Sequence, residues 1–355
     1  MKHRILHILL SSLTFLPISA LAQSEPVVEG MSYYLPKTAL KFTLLIEKTT
    51  FTPGELCDYA NRYLMQTETV LAPSTTYSII NMKMEAVGLP DKEKHFTATA
   101  TQKNSIEKLF SNEDGVLISV NKEPVLPKKD APFVAAAKPE PLNPRDFLTQ
   151  EILSVGSKSK LAQLCAKEIY DIREARNELS RGQAEITPKD GEQLRLMMET
   201  MDKQERALTS LFNGTTVKDT LEEVVVFCDP GEVQKRVVFR FSEFYGLCAA
   251  NDLAGEPYYI TITDRHQTPE DLRTEKEKMK QRDLTGLFVN VPGRARVTVY
   301  QQENKWAEQD ISYAQFGRVE NVSPALFSTK VHTTYDINPY SGAMRNLNTE
   351  SIIKK

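Results

Sequence analysis

The stretch EEVVVFC (222–228), DPGE (229–232), VQKRVVFRF (233–241) decides the fold class. Two runs rich in β-branched and aromatic residues flank a proline and a glycine placed as a type II turn requires, so the stretch reads as a β-hairpin. Glu222 and Glu223 adjoin in the first run. Alternation along a strand sends them to opposite faces, which makes them a poor carboxylate dyad. Downstream, strands are expected at residues 258–263, 287–291 and 295–300, with a second hairpin (332–337 and 343–347) around Asn338-Pro339-Tyr340-Ser341-Gly342. Thr268-Pro269-Glu270-Asp271 reads as a capping box opening a charged helix between them. Several short strands with regular turns imply an antiparallel β domain, a sandwich or barrel, over residues 215–348.

Upstream the period changes. Leu161, Leu164, Cys165, Ile169, Ile172, Ala175 and Leu179 fall on one face of a helix ending near Gly182. After the breaker Thr187-Pro188, the residues Leu194, Met198, Met201, Leu208, Leu211 and Phe212 form a second stripe, with Gly214 just past its end. Two such helices on a short loop pack as an antiparallel hairpin (158–214), and the methionine stripe is read as their seam. Residues 124–157 begin with prolines among lysines and alanines, without a hydrophobic period, and read as a linker or strap. The N-terminal part (23–123) is a mixed α/β unit. It has a strand at 40–46, a short helix from Pro53 to Leu64, strands at 76–87 and 95–101 around a turn at Gly88-Pro90-Asp91, and a hairpin at 112–115. The fold class is therefore α+β.

The first 22 residues have the form of a secretory signal. Lys2 and Arg4 precede an apolar run, and Ala20-Leu21-Ala22 is a small-residue cleavage site. The run is too short and too interrupted for a transmembrane helix. Export to the periplasm or beyond is expected, with no later segment able to span a bilayer. Cleavage would leave about 330 residues, more than one core usually serves. Loss of Lys2 and Arg4 takes the formal charge from −3 to −5. A mildly acidic chain with scattered charges has no footprint for nucleic acid.

Catalytic patterns are missing. There is no nucleophile elbow, zinc helix, P-loop or dinucleotide fingerprint. Beyond the leader stand His95, His266 and His332, too far apart to place two ligands on one helix face. No catalytic, cofactor-binding or metal-ligating residue is assigned. Cys57, Cys165, Cys228 and Cys248 are too sparse for a disulfide scaffold and hold no C-x-x-C. If all were oxidised, three pairings are open; otherwise they are buried thiols.

Certain groups of residues carry a resemblance: Tyr34-Leu35-Pro36-Lys37-Thr38, the helix end Ala207 to Gly214, Phe239-Arg240-Phe241-Ser242 with Gly246-Leu247, Leu253 to Pro257, Val291-Pro292-Gly293 and Gln315-Phe316-Gly317. Together they resemble the domain-of-unknown-function family 4831 over nearly the whole chain after the leader. The resemblance implies an exported bacterial protein of Gram-negative type with one shared architecture, and it hands over no catalytic residue. Asp219-Thr220-Leu221 is similar to an O-glycosylation acceptor pattern and is placed in an exposed link before the first C-terminal strand. Two function classes follow. The first is a non-catalytic envelope or secreted protein that binds a protein or glycan partner or has a structural role, with Tyr33, Tyr34, Tyr258, Tyr259 and Trp306 as candidate exposed aromatics. The second is an exported hydrolase whose acids or histidines meet only in the fold. The residues lean away from the enzyme.

Overall fold

The structure, a computed structural model, describes residues 30–98, 105–125, 131, 133–137, 142–185, 188–271, 273 and 287–352. The leader lies outside these residues. The strands are β1 (Met31–Thr52), β2 (Ser74–Ala98), β3 (Leu109–Ser111), β4 (Leu117–Val120), β5 (Thr215–Phe227), β6 (Val233–Ser242), β7 (Gly246–Cys248), β8 (Glu256–Asp264), β9 (Phe288–Gln301), β10 (Asn304–Asn321), β11 (Val331–Ile337) and β12 (Met344–Ser351). The α-helices are α1 (Ala60–Leu64), α2 (Gln150–Leu153), α3 (Lys158–Arg181) and α4 (Gly191–Asn213).

Three antiparallel sheets result, ordered β2-β1-β5, β10-β9-β8-β6-β7 and β12-β11-β4-β3. The 22 residues of β1 span roughly 70 Å at about 3.3 Å per residue, long enough to serve two cores. From Leu40 onward alternation is strict: Leu40, Phe42, Leu44 and Ile46 are buried against Phe239, Ile260, Ile262, Val297 and Val299 of the five-stranded sheet. The first two sheets thus form a sandwich. Nearer its start, β1 gives Tyr33 and Leu35 to a second core with Leu117, Val120, Phe288, Tyr335 and Ile337. Helical residues make a third core, in which Leu56, Ala60, Ile169, Leu208 and Phe212 meet.

The central hairpin forms as its periodicity predicts. α3 ends at Gly182 in the left-handed region (φ 68°). α4 starts at Asp190, whose side chain accepts the Gln193 N–H at 2.8 Å, and stops at Gly214. Met198 and Met201 are half-buried, and the buried end of the seam is Leu208, Leu211 and Phe212. The hairpins at 112–115 and 338–342 also form, pairing β3 with β4 and β11 with β12.

The decisive stretch is not a hairpin. β5 pairs with β1 from Thr215↔Thr52 to Phe227↔Leu40, whereas β6 pairs with β7 and β8. Residues 228–232 carry the chain from one sheet to the other, so the two strands face each other across the sandwich. Gly231 is absent from the positive-φ positions, and a type II turn needs one there. Asp229 shapes the corner instead. It is buried, takes the Gly231 N–H at 3.3 Å and pairs with Arg236.

Other expectations are corrected the same way. Gly88, Pro90 and Asp91 form no turn, because β2 runs on through them opposite Thr38 and Pro36. A Cβ on Gly88 would sit 1.9 Å from the Pro339 carbonyl, so this glycine allows a close approach between backbones. Residues 288–291 and 295–300 belong to one strand, β9, and β10 bulges between Tyr313 and Arg318 to follow it. Residues 268–271 are not helical, and 274–286 lie outside the described residues. Thr220 is inside β5, opposite Glu47, rather than in a link before a strand. Pairing of β1 with β5 and of β4 with β11 joins strands across the boundaries at 123 and 215.

Candidate functional site

Three of the groups of residues that carry the family resemblance, Tyr34 to Thr38, Val291-Pro292-Gly293 and Gln315-Phe316-Gly317, meet at a buried joint where the three sheets touch. Thr38 is fully buried. Its hydroxyl donates to the Tyr340 carbonyl and accepts the Ala314 N–H, both at 2.9 Å. Gln315 grips the same residue: Oε1 accepts the Thr38 N–H at 2.9 Å, and Nε2 donates to the carbonyls of Thr38 (2.8 Å) and Asp229 (3.1 Å). The Tyr313 hydroxyl donates to Asp229 O at 3.0 Å, and Asn290 Nδ2 donates to Pro36 O at 2.9 Å. Gly293 and Gly317 allow the bulged β10 to lie on β9, since a Cβ on either would enter backbone space. Apart from the Asn290 Oδ1, which is buried without a hydrogen-bond partner, these polar groups satisfy one another, which makes the joint a structural lock.

Two clefts differ in chemistry. The larger, about 610 Å³, lies on the helical hairpin between Arg173, Arg176, Asp202, Glu205, Arg206 and Thr209. Its carboxylates are held: Arg173 meets Glu205 at 2.6 Å, and Arg176 bridges Glu205 at 2.7 Å and Asp202 at 2.9 Å. This network clamps α3 to α4. The smaller cleft, about 250 Å³, opens at the end of the sandwich between the three-stranded sheet and the β6–β7 turn. Its walls are Ile46, Tyr77, Leu221, Tyr245 and Leu247, and Glu223 is its one carboxylate. Gly246 (φ 74°) rests on the Tyr77 ring, and the Tyr77 N–H donates to Glu243 O at 2.7 Å, which pins the turn to β2. Phe244 and Tyr245 stand out from that turn, 68% and 72% exposed.

The histidines are not brought together. His95 stacks on Tyr34, His266 sits exposed beside Asp264, and His332 faces Glu107 at 3.9 Å. Among the described residues no group of three or more His, Cys, Asp or Glu side chains could hold a metal ion. Of the expected exposed aromatics, Tyr33 and Tyr258 are core residues, because alternation turns them inward. Burial pushes the Tyr258 hydroxyl up to about 12, helped by Glu256. Tyr34 and Tyr259 are half-buried, and Trp306 is 38% exposed against the Tyr258 ring. The exposed pair missed by sequence reasoning is Phe244-Tyr245. A signal was present, two aromatics directly before a glycine in a polar stretch.

All four cysteines are free thiols. Cys165 is fully buried, and burial, with Glu55 and Glu168 adding to it, pushes its thiol up to about 11. At pH 8 roughly one molecule in a thousand then carries the reactive thiolate. An aromatic disulfide reagent should therefore label half-buried Cys57 in the native protein and reach Cys165 only after denaturant is added. Peptide mapping of the labelled sites checks this, and rapid native labelling of Cys165 would contradict the packing described for α3.

The fold and its clefts define a β-rich antiparallel protein with a helical hairpin at one end and a polar joint at its centre. The family described as Domain of unknown function (DUF4831) matches residues 29–345, and the chain belongs to it. No curated protein and no solved structure matches the chain. Among the described residues no helix is long and apolar enough to cross a membrane.

Proposed function

We propose that this is an exported, non-catalytic binding protein that holds a glycan in the groove at the end of its sandwich. The observation that carries the reading is the groove's composition: Tyr245 and Tyr77 beside Leu221, Leu247 and the single carboxylate Glu223. An aromatic face packs on the C–H face of a sugar ring, and a carboxylate accepts hydrogen bonds from its hydroxyls. One isolated acid lacks the second carboxyl that glycosidic hydrolysis uses. The paired acids of the hairpin cleft already bridge arginines. Export rests on the leader, with Gln23 as the first residue of the processed chain.

The test starts from protein secreted by a Gram-negative host from the full chain, whose N-terminal sequence should begin at Gln23. Titration with a panel of neutral oligosaccharides is followed by calorimetry together with a reducing-sugar assay. Binding without release of reducing ends, weakened about tenfold by Tyr245→Ala, supports the reading. Release of reducing ends would replace it with the hydrolase, and no heat from any member of the panel would exclude a neutral glycan.

A further inference from the structure

The three-stranded sheet has two edges, and they are treated differently. β2 is blunted by a bulge opposite Leu45/Ile46, by a register shift between Pro90 and His95 and by exposed Lys83. Among the described residues the other edge, β5, pairs with β1 alone, and its register is unbroken over 13 residues without proline, glycine or bulge. Its exposed side chains include Val217, Leu221, Val224 and Val226, the last two 51% exposed. Elsewhere among the described residues the sheet edges are the three-residue β3 and β7, the strongly bulged β10 and the polar β12. Natural proteins rarely leave a long, flat, valine-bearing edge open, because every second residue offers an N–H and a C=O to another strand.

We infer that β5 pairs antiparallel with β5 of a second copy of this chain, on a twofold axis at Thr220, making one continuous sheet β2-β1-β5-β5-β1-β2. The occupant follows from parity and charge. In antiparallel pairing, two opposed residues both aim their backbone groups across or both aim them away, so symmetric pairing must place the axis on a residue rather than between two. An axis at Lys218, Asp219, Glu222 or Glu223 sets a charge against its own copy, and one at Leu221 sets Asp219 against Glu223. Like charges directly opposite destabilise a sheet. An axis at Thr220 opposes Lys218 to Glu222 twice and Thr220 to Thr220, both favourable cross-strand pairs. It overlaps 215–225, more than an axis at Val217, Val224 or Val225 allows. Lys218 already holds Glu47 at 2.9 Å on the same face, so its ammonium would lie between two carboxylates. This inference is independent of the glycan groove and survives its failure.

The experiment reads register directly. Opposed Cα atoms in an antiparallel pair lie about 4.5–5.5 Å apart, within disulfide range. Under mild oxidation Thr220→Cys should form covalent dimers about tenfold faster than Thr216→Cys, which would face Val224 instead of its own copy. Light scattering of the wild type over a concentration series should show a dimer that Lys218→Glu dissociates and the double variant Lys218→Glu/Glu222→Lys restores. A wild type that stays monomeric at the highest concentration, or equal cross-linking at 216 and 220, overturns the inference. Faster cross-linking by Val224→Cys than by Thr220→Cys overturns the register.

Discussion

Gln315→Leu should cost about 2–4 kcal/mol of folding stability, a large share of what a natural protein possesses. Leucine fills similar space but neither accepts the Thr38 N–H nor donates to the carbonyls of Thr38 and Asp229. The losses are unequal. Asp229 O keeps the Tyr313 hydroxyl, and Thr38 O keeps a long contact from the Cys228 thiol at 3.8 Å. The Thr38 N–H, on a residue with no exposed surface, is left without a partner, and that orphan dominates the cost. Gln315→Glu separates the contributions. It keeps an acceptor for the N–H but turns a carboxylate toward two carbonyls, so its pKa should be higher folded than unfolded. Its protonated form restores the donor, so its deficit against the wild type should shrink as pH falls toward 4 and grow as pH rises through the folded pKa. Urea unfolding followed through Trp306, the single tryptophan, measures both variants. A Gln315→Leu midpoint equal to the wild type would mean that the joint does not hold the sheets together.

That joint explains which parts of the fold were legible in the sequence. Helices α3 and α4 could be read because their stripes repeat at helical spacing and Gly182 and Gly214 stop them by a local rule. The turns at 112–115 and 338–342 could be read because Asn112 and Asn338 bind their own backbone: Asn112 Oδ1 accepts the N–H groups of Asp114 and Val116, and Asn338 Oδ1 that of Tyr340. Gly88, Pro90 and Gly231 misled for one reason. A glycine or proline marks a turn when the constraint is local, whereas here the constraints are distant: Pro339 over Gly88 and, for the corner at Gly231, the packing of one sheet on another. No local pattern reports a contact between residues 88 and 339. The groove was hidden likewise, since Ile46, Tyr77, Glu223 and Tyr245 come from four separate segments. Of the expected aromatics Trp306 is exposed, whereas Tyr33 and Tyr258 are not, because strand tyrosines alternate and these two face cores; the most exposed pair, Phe244-Tyr245, lies in a turn.

Phe212→Ala should unfold the helical end while leaving the sandwich standing. Phe212 is fully buried in a core drawn from α1, α2, α3, α4 and the 3-10 turn before α1, and truncating such a ring costs about 3–5 kcal/mol. Among the described residues no strand residue belongs to that core, just as no helical residue belongs to the core under Trp306. The two meet where Thr52 pairs with Thr215 and the Leu56 N–H donates to Leu211 O at 2.7 Å. Hydrogen exchange read by mass spectrometry should therefore show α3 and α4 amides of the variant opening at lower free energy, with β8 and β9 protected as in the wild type. The Trp306 transition in urea should keep its midpoint. Loss of protection in β8 and β9 together with the helices would mean that this joint at Thr52 and Leu56 transmits the whole cost, so that helices and sandwich unfold as one unit. Selective loss would mean that the helical hairpin is a separately stabilised element built on the ends of β1 and β5.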